Sequence, residues 1–146
     1  MSDPSTASDA PGVFTADRQV AAGDLDALGH VNNVVWVRYV VELAEAHAEA
    51  VGLGAAALGR RGYGWVVRRH DVRYHRGAGP GTRLVGRTWI EAMRGARCIR
   101  CTRFESADGT LRVEARTEWA FVSLATGRPR RIPGSLARAF GVDGAG

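Results

Sequence analysis

The chain has 146 residues, 45% of them hydrophobic and 24% charged, which fits one globular domain and excludes wholesale disorder. Its formal net charge of +5 rests on 20 arginines, because the sequence contains no lysine. The absence of lysine excludes a Walker-type phosphate loop and a Schiff-base mechanism.

The first segments of the chain are irregular. Residues 1–12 are polar and have no periodicity, which predicts a flexible N-terminal leader. They have neither the basic start nor the apolar run of a secretory signal, and no segment approaches the roughly 20 apolar residues that cross a bilayer. We therefore expect a cytoplasmic protein with no membrane partner. Partial alternation over 13–21 predicts a first strand, and residues 23–33, dense in Asp, Gly and Asn, predict a loop.

A helical period follows this loop. From Val34 to Val51 the apolar residues recur at i, i+3 and i+4, which predicts an amphipathic helix of about five turns. Asn32 or Asn33 can cap its start, and Gly52 is typical of a left-handed stop at its end. Three glutamates fall on the polar side of this helix: Glu42, Glu45 and Glu49.

The rest of the chain alternates like a sheet. Residues 141–146 are predicted to be a flexible tail, and Ser135 to Phe140 a short closing helix. One strand, a long helix and four hairpin-linked strands indicate an α+β domain over residues 13–140, with the helix on one face of a five-stranded antiparallel sheet. The exposed edge of such a sheet favours a homodimer, and dimers could pair into a tetramer. The four later strands are predicted at Tyr63 to His75, Arg83 to Ala92, Arg97 to Ser106 and Leu111 to Leu124.

Cysteines and arginines suggest no metal or nucleic-acid site. Cys98 and Cys101 have opposite parity in a predicted strand, so they point to opposite faces and are badly placed to share a disulfide or a metal. Between Arg60 and Arg138 lie 18 of the 20 arginines and only six acidic residues. Such a stretch either attracts a phosphorylated or acidic partner or is the solvated face of a sheet. No recognition motif accompanies the charge, so we expect no nucleic-acid partner.

The loop before the long helix is the place where chemistry could occur. Residues 24–33 collect two carboxylates, an imidazole and two amides at a helix N-terminus, whose unpaired N–H groups and dipole favour negative charge. A carbonyl held there by a main-chain N–H could be attacked by Asp26 or by water that Asp26 activates. Gly29 would permit a tight turn. A loop whose Asp and Asn residues only cap backbone groups would have the same composition.

The residues of this loop also carry a family resemblance. The pattern is Asp24-x-Asp26-x-x-Gly29-His30-Val31-Asn32-Asn33, and it runs into a helix with two aromatic residues, Trp36 and Tyr39. It resembles the signature of the hotdog-fold acyl-CoA thioesterases of the 4-hydroxybenzoyl-CoA thioesterase type. The Gly-His-Val-Asn-Asn segment is most similar to the long-chain acyl-CoA thioesterase branch. The resemblance covers about residues 13–138, including the segment 126–133 before the closing helix.

This resemblance implies a fold, a reaction and two catalytic residues. The fold is the hotdog, a long central helix wrapped by a five-stranded antiparallel sheet. The reaction is hydrolysis of an acyl-CoA or acyl-carrier-protein thioester to free acid and thiol, with no cofactor and no metal. Asp26 would be the nucleophile or the general base, and the main-chain N–H of Asn33 would polarise the thioester carbonyl.

The resemblance also implies substrate-binding positions. Gly29, His30 and Asn32 correspond to residues that line the same loop in relatives. Trp36 stands where many relatives have tyrosine, and it is expected to line the acyl pocket. Two further tryptophans are candidates for that pocket: Trp89 and Trp119.

Other functions stay open at this point. A hotdog dehydratase would abstract a proton with a histidine, but the proline-punctuated segment that accompanies histidine in those enzymes is absent, and His47 falls on the apolar helix face, which favours a core role. A non-catalytic acyl-binding hotdog protein would hold the ligand without turnover. Another branch of the fold uses a glutamate on the central helix, but the glutamates here fall on its polar side.

Overall fold

The computed structural model describes residues 11–143, which form five strands and three α-helices. The helices are α1 (Asn33–Ala50), α2 (Ala55–Arg60) and α3 (Gly134–Ala139). The strands are β1 (Phe14–Gln19), β2 (Tyr63–Tyr74), β3 (Arg83–Arg94), β4 (Arg97–Ser106) and β5 (Leu111–Ser123).

All five strands form one antiparallel sheet in the order β1-β3-β4-β5-β2. The three strands from β3 to β5 are linked by hairpins and make the centre, while β1 and β2 are the two edges of the described sheet. The predicted architecture is therefore confirmed, and the strand boundaries agree with the alternation pattern to within two residues.

Helix α1 lies on one face of the sheet and is held by the caps that the sequence predicts. At its start, Oδ1 of Asn32 accepts from the Val34 N–H (2.8 Å). At its end, Gly52 adopts a positive φ of 77° and its N–H donates to the Glu49 carbonyl. The buried face of the helix carries Trp36, Tyr39, Val40, Leu43, Ala44 and His47.

A glycine in β3 sets how closely the helix approaches the sheet. A Cβ at Gly86 would lie 2.8 Å from Cδ2 of Leu43 on α1 and 2.7 Å from Cε1 of Phe104 on β4. Neither neighbour could stay in place beside a larger residue, so the absence of a side chain at Gly86 lets helix and sheet pack in direct contact.

The core consists of two apolar clusters, one under each half of α1. The cluster under the first half includes Trp36 and Phe104, and the cluster under the second half includes Phe121 and Phe140, the residue that directly follows α3. Five of the buried polar side chains are His47 on α1 and Thr88, Arg100, Thr102 and Thr117 on the sheet. Arg100 donates to His47 and Thr88, and Thr88 is hydrogen bonded to Thr102, whereas the partner of Thr117 is His70.

Two details differ from the sequence-based expectations. Helix α2 was not predicted, because its six residues are too few to show a period; Leu58, which is 1% exposed, attaches it to the second core cluster. The flexible C-terminal tail is predicted to begin at residue 141, but Val142 belongs to the packed domain. Its N–H donates to the Ala137 carbonyl (2.9 Å), and its side chain packs on the second core cluster. Gly12 lies against Gly141. Most of the predicted leader, and residues 144–146, fall outside the described residues.

The buried histidine on α1 predicts an acid-sensitive fold. Burial, together with the Arg100 charge, lowers the pKa of His47 from 6.5 to about 4. The unfolded chain therefore binds a proton at a pH where the folded chain does not, so His47 stabilises the fold fully above pH 6.5 and loses that contribution as the pH falls towards 4. We expect the free energy of unfolding to fall by about 2 kcal/mol between pH 7 and pH 5 through this group.

Urea unfolding at the two pH values measures this change. The variant His47→Gln, which keeps an acceptor for Arg100, should lose most of the pH dependence. Burial also lowers the pKa of His70, so a smaller slope of the same sign should persist. The exposed His75→Gln variant is the matched control and should behave as the unaltered protein. Equal slopes in the unaltered protein and His47→Gln would contradict the prediction.

Candidate active site

The loop before α1 is a closed turn. Leu25 bridges to Val31, the Asp26 N–H donates to the His30 carbonyl (2.7 Å), and the Gly29 N–H donates to the Asp26 carbonyl (3.1 Å). Gly29 has a φ of 76°, a left-handed conformation in which residues with side chains are strained. The turn therefore requires the glycine that the sequence places there.

The turn orients the carboxylate of Asp26. Its Oδ1 accepts from the N–H groups of Leu28 (2.9 Å) and His30 (3.2 Å). Its other oxygen, Oδ2, accepts no hydrogen bond from any residue in the described range 11–143. One oxygen thus fixes the side chain and the other is left available for chemistry.

The start of α1 offers an unpaired donor immediately after this turn. The Asn32 side chain occupies the Val34 N–H, and the first intrahelical bond runs from the Trp36 N–H to the Asn32 carbonyl (3.1 Å). The N–H of the exposed residue Asn33 has no acceptor among the residues that the structure describes. The hydroxyl of Tyr74, at the end of β2, donates to the Asn33 carbonyl (2.9 Å) and fixes this first turn. The arrangement provides a fixed main-chain donor where the helix dipole favours negative charge.

Hydrogen bonds within the loop and contacts to the β2–β3 connection hold the loop in place. The Val31 N–H donates to the Ala78 carbonyl (2.9 Å), and the Asn32 N–H donates to the Asp24 carbonyl (3.0 Å). The His30 ring lies over Gly77, where a Cβ would be only 3.1 Å from Cγ of the imidazole. His30 is exposed and stands at the outer side of the turn.

The second aspartate of the motif has a different environment. Asp24 is 8% exposed; its Oδ2 accepts from the Tyr39 hydroxyl (2.5 Å) and its Oδ1 from Nη2 of Arg38 (2.6 Å). Both hydrogen bonds lower the pKa of Asp24, and the bond from Tyr39 has the larger effect. Burial and the hydrogen bond to Asp24 raise the pKa of Tyr39 to about 12. Asp24 therefore ties the loop to α1, whereas Asp26 carries the available oxygen.

An apolar groove lies further along α1. It has a volume of about 780 Å³ and opens between the second half of the helix and the strands from β2 to β5. Its size is typical of small-molecule sites. Its apolar lining includes Val41, Ala44, Trp65, Met93, Trp119 and Phe140.

Comparison with known proteins assigns the family. A model of the thioesterase-like superfamily matches residues 20–140, which is most of the chain. The chain belongs to this superfamily. The comparison with curated proteins found no significant match.

Several solved structures share the hotdog fold of this chain. A 1,4-dihydroxy-2-naphthoyl-CoA thioesterase from Synechocystis matches with a TM-score of 0.81 and 20% identity, over 88% of this chain and 95% of that chain. A Staphylococcus aureus protein in complex with CoA matches with a TM-score of 0.84 and 15% identity, over 93% of this chain and 86% of that chain. An acyl-ACP thioesterase from Bacteroides thetaiotaomicron matches with 0.81 and 23%, over 91% of this chain but 54% of that chain. This chain thus spans about half the length of the Bacteroides protein.

Two tryptophans lie away from the groove of this hotdog domain. Trp36 is 2% exposed and packs against Tyr39 and Phe104 at ring-centre distances of 5.7 and 5.8 Å, so it presents no free surface to an acyl group. Trp89 alternates to the outer face of the sheet, beside Cys101. Trp119 alone of the three candidates lines the groove. We leave Trp36 and Trp89 out of the proposed site.

The other candidate groups of the chain have structural partners or lie elsewhere. Glu42 forms ion pairs with Arg18 and Arg38, and His47 accepts a hydrogen bond from Arg100 in the core, the satisfied role that its position on the apolar face favours. In the described part of the chain no three His, Cys, Asp or Glu residues are placed to hold a metal ion. No helix found there is long and apolar enough to cross a membrane.

Proposed function

We propose that the chain is a thioesterase that hydrolyses an acyl-CoA or acyl-carrier-protein thioester to free acid and thiol. One observation carries the proposal: the turn that fixes Oδ1 of Asp26 leaves Oδ2 free, and it leads directly to the unpaired N–H of Asn33. A nucleophile or base and a donor for an oxyanion are the two groups that hydrolysis of a thioester requires.

The reaction follows from these two groups. The Asn33 N–H donates to the thioester carbonyl oxygen and stabilises the charge that develops on it, which is worth about 3 kcal/mol for one preorganised donor. Asp26 either attacks the carbonyl carbon, releasing the thiolate and forming an anhydride that water then hydrolyses, or it takes a proton from water that attacks directly. Both routes end in a carboxylic acid and a thiol.

The loop residues have supporting roles in this proposal. Gly29 permits the turn and lets the substrate approach the backbone, and Asn32 caps the helix so that the Asn33 N–H stays directed outward. We propose that His30, which is exposed beside Gly77, contacts the thiol arm of the substrate. The Synechocystis and Bacteroides proteins are thioesterases for a CoA and a carrier-protein thioester, and their similarity favours the same substrate class for this chain.

We further propose that the active form is a homodimer joined at β2. Tyr74, which contacts the start of α1, and Val66 are both exposed on this edge strand, at 49% and 46%. In a two-fold antiparallel pairing the Tyr74 end of one strand lies beside the Tyr63 end of the other. The helix start of one chain is then next to the groove of the other, which Tyr63 and Trp65 line. The acyl group would extend from one chain into the groove of its copy.

A charge on this edge should separate the two chains. We expect Val66→Glu, which sets like charges together in a two-fold interface, to shift the protein from dimer to monomer in sedimentation equilibrium and to lower thiol release at least tenfold. Gln19→Glu on the opposite edge strand is the matched control and should stay dimeric and active. A Val66→Glu protein that is monomeric and fully active would contradict a site shared between chains.

A thiol-release screen tests the proposed function. Purified protein is mixed with short, long, branched and aromatic acyl-CoAs, and free thiol is followed with a chromogenic disulfide. We expect saturable hydrolysis of at least one class. Tight acyl-CoA binding with no thiol release would favour the acyl-binding alternative, and hydration or dehydration of an enoyl/3-hydroxyacyl-CoA pair would favour the dehydratase.

A further inference from the structure

A buried arginine lies at the floor of the apolar groove. Arg100 on β4 is 5% exposed and lines the groove. Its Nη1 donates to Nδ1 of His47 (2.9 Å) and to Oγ1 of Thr88 (3.0 Å), which uses both hydrogens of that nitrogen. Nε and Nη2 carry three more N–H groups, and none of them has an acceptor among residues 11–143.

No carboxylate of the described chain balances this charge. Arg100 forms no ion pair there, and its neighbours are uncharged at neutral pH, because burial lowers the pKa of His47 to about 4 and raises the pKa of the Cys98 thiol to about 12. Burial lowers the pKa of Arg100 itself to about 10, which leaves it protonated. A buried cation without a counter-charge is strongly unfavourable, so the arrangement favours an anion from outside the chain.

A second donor without an acceptor lies beside the same groove. The indole Nε1 of Trp119 is buried and has no hydrogen-bond partner among the described residues. The acidic side chains that line the groove, Glu45 and Glu49, are exposed residues of α1, and neither forms an ion pair with Arg100. The floor of the groove thus offers donors without acceptors, whereas most of its walls are apolar.

We propose that the groove binds an acyl group that carries a second carboxylate, and that Arg100 binds this remote carboxylate. The inference rests on the proposed thioesterase function and names its substrate class: the monothioester of a dicarboxylic acid. The methylene stem packs on the apolar walls. The free Nε and Nη2 edge of the guanidinium presents the planar fork that a carboxylate accepts from.

Matched substrate pairs test the assignment. We would compare kcat/KM for adipoyl-, suberoyl- and sebacoyl-CoA with that for hexanoyl-, octanoyl- and decanoyl-CoA, which differ only in the remote carboxylate. At one length or more, the unaltered protein should prefer the dicarboxylic ester at least tenfold. Arg100→Met should lose roughly tenfold to a hundredfold on that ester and little on its monocarboxylic partner, as expected for a hydrogen bond to a charged group. Arg100→Lys should keep part of the preference.

Controls separate this inference from the proposed function. Arg116→Met removes a guanidinium on the outer face of the sheet and should leave the preference unchanged. If the monocarboxylic ester reacts at an equal or higher rate at every length, the inference is overturned but the proposed thioesterase function is not. This comparison uses only the unaltered protein, so it does not depend on whether a variant folds. If no ester is hydrolysed, the proposed thioesterase function is overturned. Calorimetry then tests the inference by comparing the affinities of S-(ω-carboxyalkyl)-CoA and S-alkyl-CoA thioethers, and equal affinities contradict it.

Discussion

Asp26→Asn is expected to lower kcat for thioester hydrolysis by a factor of roughly 100 to 10,000. The amide keeps an oxygen that can accept from the N–H groups of Leu28 and His30, so the turn should keep its shape. It cannot act as a base or form an anhydride, and the loss of such a group costs about this factor. Thiol release under substrate saturation measures kcat.

The control for this prediction is stability. Because the two main-chain hydrogen bonds persist, the free energy of unfolding of Asp26→Asn should stay within about 0.5 kcal/mol of the unaltered protein. KM should change little, because the Asn33 N–H and the groove are untouched. An Asp26→Asn protein that hydrolyses thioesters at the original rate would show that another group performs the chemistry.

Asp24→Ala should act on folding instead. The change leaves the buried Tyr39 hydroxyl without its acceptor and removes the ion pair with Arg38. We expect the free energy of unfolding to fall by about 3 kcal/mol, since a buried donor loses its partner and a paired charge is removed. Urea unfolding at neutral pH measures the difference.

The pH dependence of this variant identifies the cause. The pKa of Asp24 is lowered by the Tyr39 hydrogen bond and then by Arg38, so its contribution is complete above pH 3.8 and is lost as the pH falls through the lower folded value. The difference between Asp24→Ala and the unaltered protein should therefore shrink at strongly acidic pH. Asp17→Ala, an exposed change on β1, is the control. A constant difference at every pH would point to packing and not to the charge.

Sequence periodicity accounts for most of the fold. The i, i+3, i+4 pattern and the residues Asn32 and Gly52 predict α1 together with both of its caps, because capping is a local interaction. Alternation predicts the five strands, since one face is buried under the helix. Helix α2 is not predicted, because its stability comes from the burial of Leu58 and not from a periodic pattern in its own sequence.

The candidate site is less accessible to sequence reasoning. Spacing alone puts Asp24 and Asp26 in the same loop and gives no reason to separate them. Their difference depends on Tyr39, which lies two turns into α1 and meets Asp24 only in the folded chain. The burial of Arg100 could have been predicted from the sequence, because it has the same parity in β4 as the buried residue Thr102. The groove itself depends on how the sheet curves around α1, which no local pattern encodes.

The contact between Gly12 and Gly141 brings the two ends of the described domain side by side. A short peptide could therefore join them. New ends could then be opened at the exposed Asp108-Gly109 turn between β4 and β5. Such a circularly permuted chain should keep the same native contacts while changing the order in which they form.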